Sequence, residues 1–246
     1  SGSTAVARKA KDEGMRALAA LIDHTLLKPD VSPVEIVRVC QETLDYGFAT
    51  VCVHPVYVRL AADCLGAGTG ANQPKVCAVI GFPLGASTTR VKVAEAQQAL
   101  EDGARELDMV VPIGALRAGM WSAVAADVAA VVHAVHEAGR MAVPVKVILE
   151  TAWLDQAQIV TACRLAEAAG ASFVKTSTGF GPGGATVEVV RLMRATVGQA
   201  VGVKASGGIR TRSEALAMLE AGASRLGTSN GVAIVEACDD SARQDY

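Results

Sequence analysis

The chain has 246 residues, about half of them apolar, with a net charge of −2 and only 4% aromatic side chains. That length and apolar content suffice for one large core of barrel size. The absence of a Lys/Arg-rich run or of a series of stacking rings argues against a nucleic-acid surface, and no uncharged apolar stretch is long enough to span a membrane.

In chain order, residues 1–15 read as an N-terminal extension. Lys9, Lys11, Asp12 and Glu13 stand where an export signal needs an apolar run, so a cytoplasmic protein is expected. Eight apolar strand segments follow, at 21–27, 48–54, 75–81, 104–111, 143–149, 172–176, 201–205 and 224–228. Between them lie amphipathic stretches. The first opens on the capping box Ser32-Pro33-Val34-Glu35, with Val37, Cys40 and Leu44 expected on one face. Another carries Val124, Val128, Val131 and Val135 at helical spacing. The stretch after the seventh strand opens on a second box, Thr211 to Glu214. A tail over 238–246 closes the chain.

Four segments share one pattern of helix tail, glycine, short link and strand: LDYGFATVCV (44–53), LEDGARELDMV (100–110), AEAAGASFVKT (166–176) and LEAGASRLGT (219–228). Glycine at the end of a helix supplies the left-handed residue that terminates it. Gly139 and Gly198 open two more examples with longer links. Alternating strands and helices imply right-handed crossovers and a parallel sheet. Near-continuous apolar strands imply burial on both faces. Eight units predict a single-domain α/β fold over 1–246, a (β/α)8 TIM barrel. A doubly wound open sheet fits less well, because no G-x-G-x-x-G follows the first strand.

Active sites of such barrels sit at the C-terminal ends of the strands. Asp23, Asp108, Lys146, Glu150, Lys175 and Lys204 all lie within or at the ends of apolar strands, and are expected to converge there. Burying any one of them costs several kcal/mol unless it is paired, so a fold built for stability alone would use Val or Leu at these positions. Two neighbouring lysines carry specific chemistry. A free lysine has a pKa near 10.4, and a second ammonium in a dry pocket disfavours its protonation. An amine freed in this way attacks carbonyls to form Schiff bases, and Asp108 is the natural acid/base for the proton transfers. On these residues alone either Lys175 or Lys204 can be the nucleophile.

Ser206-Gly207-Gly208 follows the seventh strand and Gly227-Thr228-Ser229-Asn230-Gly231 the eighth. Backbone N–H groups in such turns make anion sites, and barrel phosphate sites use these two loops. The loop 176–184 after the sixth strand can close a third side. A barrel isomerase using Asp108 as base, and a barrel that binds a sugar phosphate without turnover, also fit this much of the pattern.

Several motifs together resemble the deoxyribose-phosphate aldolase family of class I, Schiff-base-forming aldolases: IDHTLLKPD (22–30), TVCVHP (50–55), the FP pair of VIGFPLG (79–85), ELDMVVP (106–112), VKVILET (145–151), FVKTSTGFGPGGAT (173–186), VKASGGIR (203–210) and RLGTSNG (225–231). The resemblance implies reversible cleavage of 2-deoxy-D-ribose 5-phosphate to acetaldehyde and D-glyceraldehyde 3-phosphate, without metal or cofactor. It selects Lys175 as the Schiff-base lysine, Lys204 as the lysine that depresses its pKa and relays protons, and Asp108 as proton donor and acceptor. Asp23, Lys146 and Cys52 match the supporting network. Gly179, Gly207, Gly208 and Ser229 match phosphate contacts, with Thr178 and Thr228 beside them. Some relatives carry lysine where Phe180 stands, so phosphate binding here is expected to rely on backbone donors. The family can use a C-terminal tyrosine in proton transfer, which points to Tyr246.

The four histidines do not form a metal cluster in this scheme. His133 and His136 fall on an outer helix face expected to be solvated, and His24 and His54 sit at strand ends as hydrogen-bonding groups. Reduced, packed thiols are expected for Cys40, Cys52, Cys64, Cys77, Cys163 and Cys238, none of them in a C-x-x-C pair. The Ala/Val-rich outer helices offer a face for a homodimer or homotetramer, and a core face explains them equally well.

Overall fold

The computed structural model describes residues 12–66, 73–140 and 142–237. Residues 12–19 form a helix, α1, so the expected N-terminal extension ends in regular structure. Eight strands follow: β1 (Ile22–Thr25), β2 (Thr50–Val53), β3 (Lys75–Ile80), β4 (Glu106–Val110), β5 (Val145–Ile148), β6 (Phe173–Lys175), β7 (Gly202–Ser206) and β8 (Arg225–Thr228). All neighbours pair in parallel, and β1 pairs with both β2 and β8, so the sheet closes on itself as a (β/α)8 barrel.

The interleaved helices are α2 (Pro33–Tyr46), α3 (Val58–Leu65), α4 (Thr89–Asp102), α5 (Ile113–Arg117), α6 (Trp121–Glu137), α7 (Gln156–Ala168), α8 (Val187–Thr196), α9 (Arg212–Glu220) and α10 (Gly231–Glu236). Both expected capping boxes form, at Ser32/Glu35 and Thr211/Glu214, and α7 has a third at Asp155/Gln158. Gly47, Gly103, Gly139, Gly170 and Gly222 take positive φ at helix ends, as the repeat predicts. Gly198 does not. There α8 stops on an extended Val197, and Gly198 instead donates its N–H to Glu167 Oε1 at 2.9 Å.

The main core lies between the ring of strands and the helices. Outward-facing Val51, Ala78, Leu107, Val147, Val174 and Val203 pack there with helix residues such as Ile36, Leu100 and Val128. The four valines expected on α6 are all buried. On α2 the buried face differs from expectation: Ile36, Val39, Cys40 and Thr43 point inward, whereas Val37 and Leu44 are 46% and 40% exposed. The inward stripe starts one residue earlier, and Thr43 is admitted to it because its hydroxyl donates to the Val39 carbonyl at 2.7 Å.

One ion pair is buried outside the barrel. Lys92 of α4 is fully inaccessible and donates to Asp127 Oδ2 of α6 at 2.7 Å and to the Val110 carbonyl at 2.8 Å. Thr89 donates to the other oxygen of Asp127 at 2.7 Å. The pair ties two helices to the C-terminal end of β4.

Candidate active site

Side chains alternate in and out along each strand, and the inward positions of β1 and of β4 to β8 include charged residues. Register sets the arrangement. Lys175 on β6 lies beside Lys204 on β7, and Asp108 on β4 beside Lys146 on β5. Lys175 Nζ and Lys204 Nζ both donate to Asp108 Oδ2 at 2.7 Å, while Lys146 Nζ donates to Asp108 Oδ1 at 2.8 Å. Lys204 also reaches Asp23 Oδ2 at 2.5 Å, and Lys146 reaches Asp23 at 3.4 Å and Glu106 at 2.7 Å. Lys146, Lys204, Asp23 and Asp108 have no accessible surface, and Lys175 is 3% exposed.

Two members of this network escaped the sequence reading. Arg225, at the start of β8, donates to Asp23 Oδ1 and to Glu106 Oε2, both at 2.8 Å, over the face of Phe173. Four basic and three acidic side chains therefore meet inside the barrel. Glycine at 227 makes room for them, since a Cβ there would lie 2.9 Å from Lys204 Cε.

The charges fix one another. Burial raises the pKa of Asp108, but Lys146, Lys175 and Lys204 outweigh it and hold the carboxyl well below its ordinary range. Burial likewise opposes ionisation of Asp23, and Lys146, Lys204 and Arg225 pull it down. For Lys204, burial favours the neutral amine, yet Asp108 and Asp23 raise its pKa above the usual lysine value; Lys146 is raised in the same way. The amine expected to influence Lys175 is thus a firmly charged ammonium.

Glu150 does not join the cluster, contrary to the expectation that six strand charges converge. Strand β5 ends at Ile148, and Glu150 turns away to bind Thr178 in the loop after β6. Cys52 and Cys77 are register partners on β2 and β3, and with Leu27 and Val79 they form a small apolar cluster against Phe82. The Cys77 thiol donates to Asp108 Oδ1 at 3.2 Å; its interaction with Cys52 lowers the pKa of Cys52, whereas burial, and then Cys52 itself, raises that of Cys77. Cys52 Sγ, Cys77 Sγ and an Asp108 oxygen lie within 4.8 Å of one another. As a metal site the set is poor, because both Asp108 oxygens already accept from lysines that would repel a cation.

Above the charges opens a cavity of about 410 Å³, lined by Lys175 among the network residues and by the loops at Thr25–Lys28, Thr178–Phe180, Ser206–Arg210 and Gly227–Asn230. A larger hollow lies elsewhere, at the opposite end of the barrel by Lys75 and Arg105, away from the charged cluster. The N–H groups of Gly179, Gly207, Gly208 and Ser229 donate to no other described residue and border the first cavity. The hydroxyls of Thr178 and Thr228 are engaged internally: Thr178 donates to Glu150, and Thr228 donates to the Ile209 carbonyl at 2.7 Å and accepts from Asn230 N–H. Phe180 is half-exposed and packs edge-on to Phe82, which packs against His54.

His54 bonds the Leu27 carbonyl, buried His24 bonds Glu42, and His133 is solvated beside Glu137, all consistent with non-ligand roles. Tyr246 and Cys238 lie outside the described residues.

Residues 17–237 match the family described as DeoC/LacD family aldolase. The chain belongs to the DeoC/LacD aldolase family. Its similarity to curated members is high: 56% identity over 219 residues to the deoxyribose-phosphate aldolase of Thermococcus gammatolerans, covering 89% of this chain and 95% of that one. The enzyme of the same name from Thermococcus kodakarensis is 56% identical over 225 residues, covering 92% and 98%. Among solved structures, QR15, an aldolase, matches with a TM-score of 0.82 at 40% identity, over 89% of this chain and 94% of that one. The deoxyribose phosphate aldolase of Aeropyrum pernix, described as a unique tetramer, matches at 0.79 and 34% identity over 92% and 94%.

Proposed function

We propose that this protein reversibly cleaves 2-deoxy-D-ribose 5-phosphate to acetaldehyde and D-glyceraldehyde 3-phosphate through a Schiff base on Lys175. The observation that carries the choice of lysine is its partner count and position. Lys146 and Lys204 each bind two or more carboxylates, whereas Lys175 binds Asp108 alone and lines the cavity. It is the amine that a carbonyl entering the barrel meets first.

In cleavage, Lys175 adds to the C1 aldehyde of the open-chain sugar and water leaves, giving an iminium. The iminium withdraws the electron pair of the C2–C3 bond as the C3 hydroxyl loses its proton. D-Glyceraldehyde 3-phosphate departs and an enamine remains. Protonation at C2 and hydrolysis then release acetaldehyde and free the lysine. Asp108, in contact with Lys175 and Lys204, is placed to pass protons between the amine and the reacting atoms. Lys204 supplies a fixed positive charge beside the amine, and Asp23, Lys146, Glu106 and Arg225 hold it there. Cys52 belongs to the apolar wall under Leu27. The free N–H groups of Gly179, Gly207, Gly208 and Ser229 bind the phosphate, with Thr178 and Thr228 shaping their loops.

A reducing, cytoplasmic setting is part of the same reading, supported by five free thiols among the described cysteines. No helix among the described residues is long and apolar enough to cross a membrane. Assembly into like-subunit oligomers is supported by the tetramer of the Aeropyrum pernix relative.

The test is reduction with borohydride in the presence of acetaldehyde, followed by intact mass and peptide mapping. One ethyl group on Lys175 is expected, with none on the Lys175→Ala variant. An isomerase or a non-catalytic sugar-phosphate binder would leave Lys175 unmodified.

A further inference from the structure

Glu150 is a buried carboxylate at the barrel mouth that has no part in this chemistry. It follows β5, is 2% exposed, and holds φ 55 and ψ 61. Among the described residues it is the one non-glycine in the left-handed region. Side-chain-bearing residues stay there only when their surroundings fix them, and such positions cluster at functional sites. What fixes Glu150 is the loop after β6. Its carboxylate accepts the Thr178 N–H at 3.1 Å and the Thr178 hydroxyl, and Thr178 Oγ1 in turn accepts the Phe180 N–H at 3.0 Å. The next residue, Thr151, donates its N–H to the Thr176 carbonyl at 2.9 Å.

The loop is closely fitted to this anchor. A Cβ on Gly181 would lie 2.8 Å from the Glu150 carboxyl carbon. The other side of the loop rests on the loop after β7. Ala185 N–H donates to the Ser206 and Gly207 carbonyls, Ser206 Oγ donates to the Ser177 carbonyl at 2.6 Å, and a Cβ on Gly184 would lie 2.1 Å from the Gly207 carbonyl oxygen. Between the two anchors sits the turn 178–180. Glu150 and Thr178 consume the donors on either side of Gly179, and the Gly179 N–H is left unpartnered at the cavity wall. A carboxylate suits the anchor because it accepts from both an N–H and a hydroxyl without donating.

We propose that Glu150 is a positioning residue that sets the preference for phosphate-bearing over unphosphorylated substrates. It acts by holding the 178–180 turn so that the Gly179 N–H faces the anion, and it does not touch the substrate. The inference rests on the phosphate reading of these loops given above.

The experiment compares wild type, Glu150→Gln and Glu150→Gly. Glycine suits the left-handed backbone, so Glu150→Gly removes the clasp without adding backbone strain. KM is measured for 2-deoxyribose 5-phosphate and for 2-deoxyribose, together with inhibition of the latter reaction by inorganic phosphate. Borohydride trapping of acetaldehyde on Lys175 is read in parallel. In Glu150→Gly, KM for the phosphorylated sugar is expected to rise about tenfold, the size of one charge-assisted hydrogen bond. Inhibition by inorganic phosphate weakens by the same factor, while kcat, trapping, and the kinetics on 2-deoxyribose stay within about twofold. Glu150→Gln, which keeps an acceptor for the Thr178 N–H, falls between. Equal losses on both sugars, or an unchanged ratio of their KM values in both variants, would overturn the positioning role while trapping on Lys175 left the aldolase reading intact. Absence of trapping in wild type would overturn the aldolase reading itself, and this inference with it.

Discussion

The side-chain nitrogens of Lys175 and Lys204 rest on the same oxygen, Asp108 Oδ2, each at 2.7 Å. The two amines are therefore separated by no more than twice that distance, and the single carboxylate between them contacts both. Lys204 is also anchored to Asp23, 181 positions away in sequence. The result is an asymmetric pair: one lysine locked into an ion network, the other facing the cavity.

Removing the anchored member tests that asymmetry. Lys204→Met is expected to lower kcat by about 10² to 10⁴-fold, the range of a lost proton-transfer group. Lys204→Arg keeps the charge but changes its shape, and is expected to recover folding more than turnover. Steady-state kinetics and thermal melting of the two variants check this; a Lys204→Met enzyme with full kcat would count against any role in the chemistry.

Asp108→Leu leaves three buried lysines short of their common partner. Breaking a buried ion network from one side costs about 3–5 kcal/mol, which in a domain of this size corresponds to a fall in melting temperature of roughly 10 °C. Turnover should be lost in the same variant. A melting temperature equal to wild type would show that the network does not stabilise the fold.

Outside the barrel, the Lys92–Asp127 pair should behave as a unit. Lys92→Met strands a buried carboxylate and is expected to destabilise the protein by about 3–5 kcal/mol, whereas Lys92→Met combined with Asp127→Leu recovers most of that loss. Denaturant titrations of the two singles and the double close the cycle. Additive losses would mean that the two side chains are not coupled.

The pH dependence of stability has a definite sign at each end. Asp23 and Asp108 have native pKa values below their unfolded values. Their contribution is present above the unfolded aspartate pKa of about 3.9 and is lost as the pH falls from there through the native values. Lys146 and Lys204 are raised, so theirs is fully present below the unfolded lysine pKa of about 10.4 and is lost as the pH rises through the native values. These groups therefore leave melting temperature flat across neutral pH, and Asp23→Asn should make the acid limb shallower. An acid limb unchanged by that substitution would show that Asp23 is not part of its origin.

The barrel and most of the charged centre were legible in the sequence, because both depend on local signals. Helix-ending glycines and capping boxes mark each unit, and ionisable residues are conspicuous inside apolar strands. Arg225 and Glu106 were missed because each stands at the first position of a strand, where a charge reads as solvated, and their partners lie far along the chain. Lys92 was missed for a related reason: on an amphipathic helix a lysine reads as surface, and only the docking of α6 brings Asp127 to it. Glu150 was misassigned because strand alternation was extended past Ile148, where the backbone turns left-handed. The expected face of α2 includes Leu44, which is exposed, and omits Thr43, which is buried because its hydroxyl bonds its own helix.

The contacts of Asp23 with Lys204 and Arg225 join the first strand to the last two. A nascent polypeptide lacking its final quarter contains Lys175 but neither of those cations. On the proposed mechanism, turnover is expected to appear only once the ring closes, so that its onset during refolding would serve as a clock for the docking of β7 and β8 against β1.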